Sequence, residues 1–317
     1  MREPTSTDRR RSAIAIALAA YLVVGLFTPG TVLGTHEQPA VAEPGGATAA
    51  EVDEAGPLSP VPEGWVPTWG DEFDGPAGAP PDPATWGYDL GDGSAIGLAG
   101  WGNNEREWYT DEPANVALDG DGHLVITVHE AEGSLQCYYG PCEYTSARLL
   151  TRDRFEFQHG YLEARLRVPG GFGLWPAFWL LGSNIDEVGW PQSGEIDLME
   201  FVGRRPNHVF GTLHGPGYSG SSGISGGIDL GGPVADAFHT FALEWAPDRM
   251  AWYLDGSRYH EVTRAQAAPN EWVFEQPFFM LLNVAVGGNL GGPVFPDTEF
   301  PARMLVDYVR LYRSDDA

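Results

Sequence analysis

Short segments in which apolar and polar residues alternate recur through most of the chain. Residues 160–168 alternate cleanly, and residues 123–128, 238–245, 250–254 and 304–312 are rich in branched and aromatic side chains. A period of two is typical of a β-strand with one buried face, and long helical periods are scarce. The pattern therefore predicts an all-β fold, an antiparallel β-sandwich of many short strands joined by glycine- and proline-rich turns.

The N-terminal region differs from this pattern. Residues 9–11 are three arginines, residues 13–27 form an apolar run, and residues 40–42 read Ala-Val-Ala. The run is short for a membrane-spanning helix, which needs roughly 20 residues, and typical of a signal peptide. We predict a signal peptide over residues 1–42 and a secreted, extracellular protein; a retained N-terminal anchor is the alternative.

Residues 43–63 are rich in Pro, Gly, Ala and acids without an apolar period, and we predict a disordered linker there. The first tryptophan is Trp65 and the last is Trp272. Residues 64–314 are therefore predicted to form one large β-domain.

The charge of the chain excludes several classes of partner. Acidic residues number 44 and basic residues 18, a formal net charge of −26. Nucleic acids and anionic membranes attract positive charge, so neither is an expected partner of the mature protein. We expect a soluble, self-repelling monomer.

Cys137 and Cys142 are the only cysteines. In an exported protein they could close a short disulfide loop, and free thiols are the alternative. A zinc site is disfavoured, because no histidine lies at ligand spacing from them.

Three carboxylates lie within six residues, at Glu195, Asp197 and Glu200. On a regular strand Glu195 and Asp197 share a face, and Glu200 points the other way. A bulge of one residue near Leu198-Met199 would restore the parity, and we predict one, with Ile196 in the core. Close acids on one face are costly unless some are protonated, and such a cost often marks a functional site. A solvated acidic face or a calcium site are the alternatives.

Aromatic residues precede these acids. Trp175 and Trp179 lie four residues apart, with Phe178 and Leu180 expected in the core. Indole faces stack on the C–H patches of sugar rings, which suggests a glycan site; core packing is the alternative.

At these motifs the chain resembles glycoside hydrolase family 16, laminarinase type. The run Glu195-Ile196-Asp197-Leu198-Met199-Glu200 is similar to that family's E-I-D-x-M-E signature, with the additional methionine of its 1,3-glucan branch. Further similar motifs lie at residues 71–75, 101–110, 144–149, 173–182, 208–215 and 282–289. The resemblance implies a jelly-roll of two antiparallel sheets with a concave glycan-binding cleft.

The resemblance also implies an activity, that of a retaining endo-β-1,3-glucanase on laminarin-like polysaccharides. Glu195 would be the nucleophile and Glu200 the acid/base, with Asp197 between them. Trp175 and Trp179 would stack on sugars. Contacts with sugar hydroxyls are expected from Asn104, Glu105, Arg148, His214 and Asn283. His214 could instead be a structural histidine, and Arg148 an internal ion-pair partner.

Many members of the family hold a structural calcium. The matching positions are Glu72 and Gly122, through backbone oxygens, and Asp307, through its carboxylate. The resemblance implies no cofactor for catalysis.

Some residues depart from the family pattern. Arg106-Glu107 stands where Leu-Gln is usual, and Leu290 where a tryptophan is frequent. Because of these departures, the sequence does not indicate which residues form the outer sugar-binding subsites. Two other functions also stay open: a sibling hydrolase or transglycosylase acting on mixed-linked β-1,3-1,4-glucan or galactan, and a non-catalytic glycan-binding jelly roll.

Overall fold

The computed structural model describes residues 63–315. The predicted signal peptide, and the predicted linker up to residue 62, lie outside the described residues. The first strand begins at Trp65 and the last ends at Ser314.

The described residues form nineteen strands. They are β1 (Trp65–Asp71), β2 (Gly87–Asp89), β3 (Glu107–Tyr109), β4 (Val116–Leu118), β5 (Leu124–Glu130), β6 (Gln136–Cys137), β7 (Gly140–Pro141), β8 (Tyr144–Ser146), β9 (Arg148–Leu150), β10 (Gly160–Arg167), β11 (Leu174–Gly182), β12 (Glu195–Phe201), β13 (His208–His214), β14 (Ile224–Asp229), β15 (His239–Ala246), β16 (Arg249–Leu254), β17 (Ser257–Thr263), β18 (Phe278–Val286) and β19 (Ala302–Ser314).

Helices are short. Three α-helical turns cover Ile185–Val188 (α1), Arg264–Ala267 (α2) and Gly288–Gly291 (α3), and 3₁₀ turns cover Ser94–Ile96, Ala99–Gly102, Gly220–Ser222 and Val234–Asp236. Within residues 63–315, no helix is long and apolar enough to cross a membrane.

Two sheets account for nearly all the strands. The larger runs β17-β16-β15-β10-β19-β5-β8-β3, with β1 beside β19 and β4 beside β5. The smaller, seven-stranded sheet runs β14-β13-β12-β11-β18-β9-β2, and β6 and β7 form a separate hairpin. The pairings are antiparallel apart from β3 with β8, which is parallel. The two sheets form a jelly-roll β-sandwich, which confirms the predicted fold class.

The core lies between the two sheets. Phe178 and Leu180 of β11, Ile196 of β12 and Val284 of β18 are fully buried on the inner face of the seven-stranded sheet. From the other sheet, Trp252 packs into the same cluster. Because strand side chains alternate, the residues between these positions point to the other face of the seven-stranded sheet, which we call the outer face.

The predicted bulge is present in β12. Asp197 pairs with Thr212 of β13, and the next paired residue is Glu200, opposite Phe210. On the other side, Trp179 of β11 pairs with Asp197 and Phe178 with Met199. The register therefore shifts at Leu198-Met199, and Glu200 returns to the outer face with Glu195 and Asp197.

A tryptophan from the opposite sheet holds this bulge. Trp252 Nε1 donates to the backbone carbonyl of Asp197 at 2.9 Å. Gly211 of β13 makes room for the ring, since a Cβ there would lie 2.4 Å from the indole. A buried carbonyl beside the bulge is thereby satisfied from across the core.

The structure joins Cys137 and Cys142 in a disulfide that links β6 and β7. Two of the three residues expected to hold calcium, Asp307 and Glu72, form ion pairs through their side chains. Asp307 Oδ2 lies 2.6 Å from Arg165 Nη1, and both carboxylate oxygens of Glu72 accept hydrogen bonds from Arg310. The expected calcium contacts of Glu72 and Gly122 would come from backbone oxygens, which these ion pairs do not involve, so the calcium site stays a prediction.

The alternation in β12 gives a stability prediction. Ile196→Ala removes a fully buried side chain and is expected to lower the free energy of unfolding by about 2–5 kcal/mol. Glu195→Gln, one residue away on the outer face, removes a charge that its neighbours repel and is expected to leave stability unchanged or increased. Urea unfolding followed by tryptophan fluorescence measures both. Equal losses in the two variants would contradict the assignment of faces.

Candidate active site

The three acids of β12 lie side by side on the outer face and are largely removed from water. Asp197 is 4% exposed and Glu200 7% exposed. Across the strand ladders, Glu195 is opposite His214, and Asp197 is opposite Trp179. The acids therefore lie among aromatic and imidazole side chains, where an ionised carboxyl is much less stable than in water.

Each of the two glutamates accepts a hydrogen bond from an indole. Trp190 Nε1 donates to Glu195 Oε2 at 3.0 Å, and Trp175 Nε1 donates to Glu200 Oε1 at 3.1 Å. Each bond occupies one carboxylate oxygen and fixes the plane of the group. The second oxygen of Glu195 lies 3.6 Å from His214 Nε2.

His214 is the cation of the cluster. Its Nε2 lies 3.1 Å from Asp197 Oδ2 and 3.6 Å from Glu195 Oε1. Burial alone lowers the pKa of His214, but contact with Asp197 and the charges of Glu195 and Glu200 outweigh it and raise the pKa to about 9. The ring is therefore protonated at neutral pH and ion-paired with Asp197.

The glutamates hold protons with different strength. Burial, followed by the charge of Asp197, raises the pKa of Glu195 to about 7, while His214 and the Trp190 indole act against this rise. Burial and the charges of Asp197 and Glu195 raise the pKa of Glu200 well above its ordinary range. At neutral pH the cluster therefore carries a proton on Glu200, beside a carboxylate that ionises more readily.

The donor atoms of Glu195, Asp197 and His214 all lie within 4.8 Å of one another, a spacing that a metal ion could bridge. A protonated imidazole, however, has no free lone pair for a metal. The same spacing also suits an ion pair between His214 Nε2 and Asp197 Oδ2, which lie 3.1 Å apart.

A second group of predicted residues lies on the neighbouring strands. The guanidinium of Arg148 lies 4.6 Å from the centre of the Trp101 ring and 4.8 Å from that of Trp179, with Asp89 at 3.0 Å. Asn283 Oδ1 accepts from Trp179 Nε1 at 2.8 Å. Trp179 connects this group to the acids, because it pairs with Asp197 across the ladder.

The remaining two predicted contacts differ in exposure. Glu105 is 4% exposed and accepts hydrogen bonds from Asn103 and Tyr109. Asn104 is exposed and donates to Asn289 at 2.8 Å. Asn104 is therefore free to meet a molecule at the rim, whereas Glu105 is held within the wall of the site.

Several residues of the site were not assigned a role from the sequence. Trp190 belongs to a loop and Trp101 to the 3₁₀ turn Ala99–Gly102, and no periodicity indicates where such side chains point. Tyr109 and Glu107 belong to β3 and have no exposed surface. One feature of the sequence could have indicated Glu107. It is a carboxyl two residues from Glu105, in a segment of aromatic residues.

A cavity of about 300 Å³ lies near the end of β12 and is lined by residues of β13 and β14 and the loops beside them. Phe210, which is opposite Glu200 in the ladder, contributes to its wall. The other lining residues are Val202, Arg204, Arg205, His208, Ser225, Gly226, Gly227 and Leu290. The outer face thus continues past Glu200 into a partly polar recess.

Known proteins share both the sequence and the fold of this chain. Residues 103–310 match the family model of glycosyl hydrolases family 16. A β-glucanase of Rhodothermus marinus is 41% identical over 258 residues, which cover 78% of this chain and 85% of that protein. A glucan endo-1,3-beta-glucosidase of Cryptopygus antarcticus is 39% identical over 253 residues, 74% of this chain and 86% of that protein.

A solved structure agrees with these relatives. The X-ray structure of the endo-beta-1,3-glucanase from Pyrococcus furiosus superposes with a TM-score of 0.75 at 46% identity, covering 79% of this chain and 95% of that one. At this identity the likeness extends beyond the fold to the sequence as a whole. The chain belongs to glycosyl hydrolases family 16.

Proposed function

We propose that the protein is an endo-β-1,3-glucanase that cleaves laminarin-like glucans with retention of configuration. The observation that carries the proposal is the bulged strand β12, which presents Glu195 and Glu200 on one face with unequal proton affinity. A retaining glycosidase needs this combination, one carboxylate to attack and one carboxylic acid to protonate the leaving oxygen. The two β-glucan-hydrolysing relatives and the glucanase structure described above support β-1,3-glucan as the substrate.

In the first step, Glu200 donates its proton to the glycosidic oxygen while the Glu195 carboxylate attacks the anomeric carbon. The bond to the leaving sugar breaks, and a covalent glycosyl-enzyme forms on Glu195. In the second step, Glu200 accepts a proton from water, which attacks the same carbon and releases Glu195. The indoles of Trp190 and Trp175 keep each carboxyl in the orientation that its role requires.

Asp197 and His214 shift the pKa values of Glu195 and Glu200. The Asp197 charge raises the pKa of both glutamates, which helps Glu200 to keep its proton. His214 lowers the pKa of both, which favours the ionised form of Glu195. Neither group needs to touch the substrate for this effect, because charges in a dry site act over several ångströms.

The sugar chain is proposed to lie across the outer face. Trp179, half-buried and held by Asn283, offers an indole face for a glucose ring, and Arg148 behind it offers hydrogen-bond donors. The recess beyond Glu200 would take the sugar on the leaving side, because Glu200 protonates the oxygen of that sugar. A neutral glucan also meets no repulsion from a chain with a net charge of −26.

We also propose that the protein is exported and acts as a monomer outside the cell. The basic cluster and apolar run within residues 1–42 support export, and the Cys137–Cys142 disulfide is compatible with an oxidising compartment.

The substrate is tested by reducing-sugar release from laminarin, lichenan and agarose. We expect release from laminarin first, with oligosaccharides of several lengths early in the reaction, as an endo-acting enzyme produces. Proton NMR of the first products should show the β-anomer before mutarotation. Release from agarose but not laminarin, or an initial α-anomer, would overturn the proposal.

The roles of the two glutamates are separable by the leaving group. Glu200→Gln is expected to lower turnover of laminarin by about 10²–10⁴-fold, since it removes general acid catalysis. On an aryl β-laminaribioside with an acidic phenol, glycosyl-enzyme formation should be nearly as fast as in the wild type, because such a phenol leaves without protonation. Glu195→Gln should lower turnover of both substrates by several orders of magnitude. Equal behaviour of the two variants on the aryl substrate would contradict the assignment.

The pH dependence follows from the same cluster. Activity should rise as pH increases through about 7, where Glu195 loses its proton, and fall at higher pH as Glu200 loses its own. His214→Gln removes the cation that lowers the pKa of Glu195, so the acid limb of kcat/KM should move to higher pH. His239→Gln, which affects a histidine paired with Asp255 on the other sheet, is the matched control. An acid limb that moves to lower pH in His214→Gln would refute the role of His214.

A further inference from the structure

Two buried acids outside the catalytic cluster have no part in the steps above. Glu105 is 4% exposed, and Glu107 at the start of β3 has no exposed surface. Their carboxyl groups contact each other inside the wall of the site. Two ionised carboxyls in contact without water repel strongly, so one of them must carry a proton.

The hydrogen bonds identify which one. Glu105 Oε1 accepts from Asn103 Nδ2 at 3.1 Å, and Glu105 Oε2 accepts from the Tyr109 hydroxyl at 3.2 Å. Glu107 Oε2 accepts from the backbone N–H of Val286 at 2.6 Å, whereas Glu107 Oε1 is buried without a donor. The proton therefore belongs on Glu107 Oε1, from which it is donated to the Glu105 carboxylate.

A chain of hydrogen bonds leads from this pair to the outer face. Trp179 Nε1 donates to Asn283 Oδ1 at 2.8 Å, and Asn283 Nδ2 donates to the Tyr109 hydroxyl at 3.1 Å. The Tyr109 hydroxyl in turn donates to Glu105. Each donor in the chain points toward Glu105, so the orientation of the Trp179 indole depends on a carboxylate held in place at the far end.

We propose that Glu107 is a positioning residue for glycan binding, which as a neutral acid holds Glu105 and, through Tyr109 and Asn283, orients the Trp179 ring against the substrate. This inference rests on the proposed function insofar as Trp179 stacks on a sugar. An amide at this position would donate in the same way. A carboxyl donates only while it keeps its proton, so the position of Trp179 becomes dependent on pH.

The charged surroundings set the direction of this dependence. Burial and the charge of Glu105 raise the pKa of Glu107 well above its ordinary range. Facing the pair are Arg148 from β9, Tyr109 from β3, and Tyr138 and Tyr139 from the disulfide hairpin. Arg148 stabilises the Glu105 charge, which assigns the proton more firmly to Glu107. Deprotonation of Glu107 as pH rises places a second charge beside Glu105 and breaks the donation.

The test compares three variants for KM and kcat on laminari-oligosaccharides between neutral and alkaline pH. Glu107→Leu removes the donor, and KM should rise about tenfold with little change in kcat. Glu107→Gln restores a donor without a titrating proton, so its KM should return toward the wild-type value. The KM of the wild type is expected to rise at alkaline pH, and that of Glu107→Gln should not. Glu143→Gln, an exposed acid paired with Arg106, is the control and should keep the wild-type profile.

Two outcomes would overturn the proposal. One is a KM in Glu107→Leu equal to that of the wild type, and the other is an alkaline rise that persists unchanged in Glu107→Gln. A Trp179→Phe variant, which loses the indole N–H, should raise KM, and adding Glu107→Leu to it should raise KM no further.

A spectroscopic measurement keeps this proposal separate from the proposed function. The infrared band of protonated carboxyl groups at neutral pH should lose intensity in Glu107→Gln relative to the wild type and to Glu143→Gln. An unchanged band would overturn the protonation of Glu107 even if laminarin is cleaved. If the wild type releases no sugar from laminarin, the proposed function fails, and the band still decides whether Glu107 carries the proton.

Discussion

The site depends on one irregularity, the additional residue in β12. A regular strand would send Glu200 into the core, where a carboxyl has no partner and no access to a substrate. The bulge at Leu198-Met199 turns it outward beside Glu195 and Asp197. The displaced carbonyl of Asp197 accepts from Trp252, so the irregularity is stabilised from the opposite sheet. The positions of the three acids on the outer face thus depend on one backbone contact with the opposite sheet.

Acidic side chains are crowded together in two buried parts of the molecule, the cluster of β12 and the pair Glu105 and Glu107. In the cluster of β12, burial and mutual repulsion leave Glu200 protonated, and the imidazolium of His214 limits the effect on Glu195. In the wall, the same repulsion between Glu105 and Glu107 is relieved by a proton on Glu107 and by the nearby charge of Arg148. Repulsion between buried acids would weaken an ordinary core. Here the same repulsion determines which carboxyl groups carry a proton.

The sequence predicted the fold class and the bulge because both depend on local periodicity. The spacing of Glu195, Asp197 and Glu200 required an irregular strand, and Ile196 between them required a core. The indole of Trp190 could not be placed, since its contact with Glu195 depends on how a loop folds back. Glu107 was noted only as a departure from a motif, because its partner Val286 is 179 residues away in the chain. Asp307 pairs with Arg165 of a neighbouring strand, a contact set by sheet register that local periodicity could not indicate, and its expected role as a calcium ligand stays a prediction.

The bond from Trp252 to Asp197 has a consequence for the order of folding. Trp252 belongs to the ten-stranded sheet, and Asp197 to the seven-stranded one. Neither sheet alone can therefore hold the acids in their final arrangement, and the close fit of the ring against Gly211 forms only when the layers dock. Contacts between such distant segments slow folding, because the loop-closure entropy is lost before they form. The arrangement of the acids therefore requires that both sheets have docked against each other.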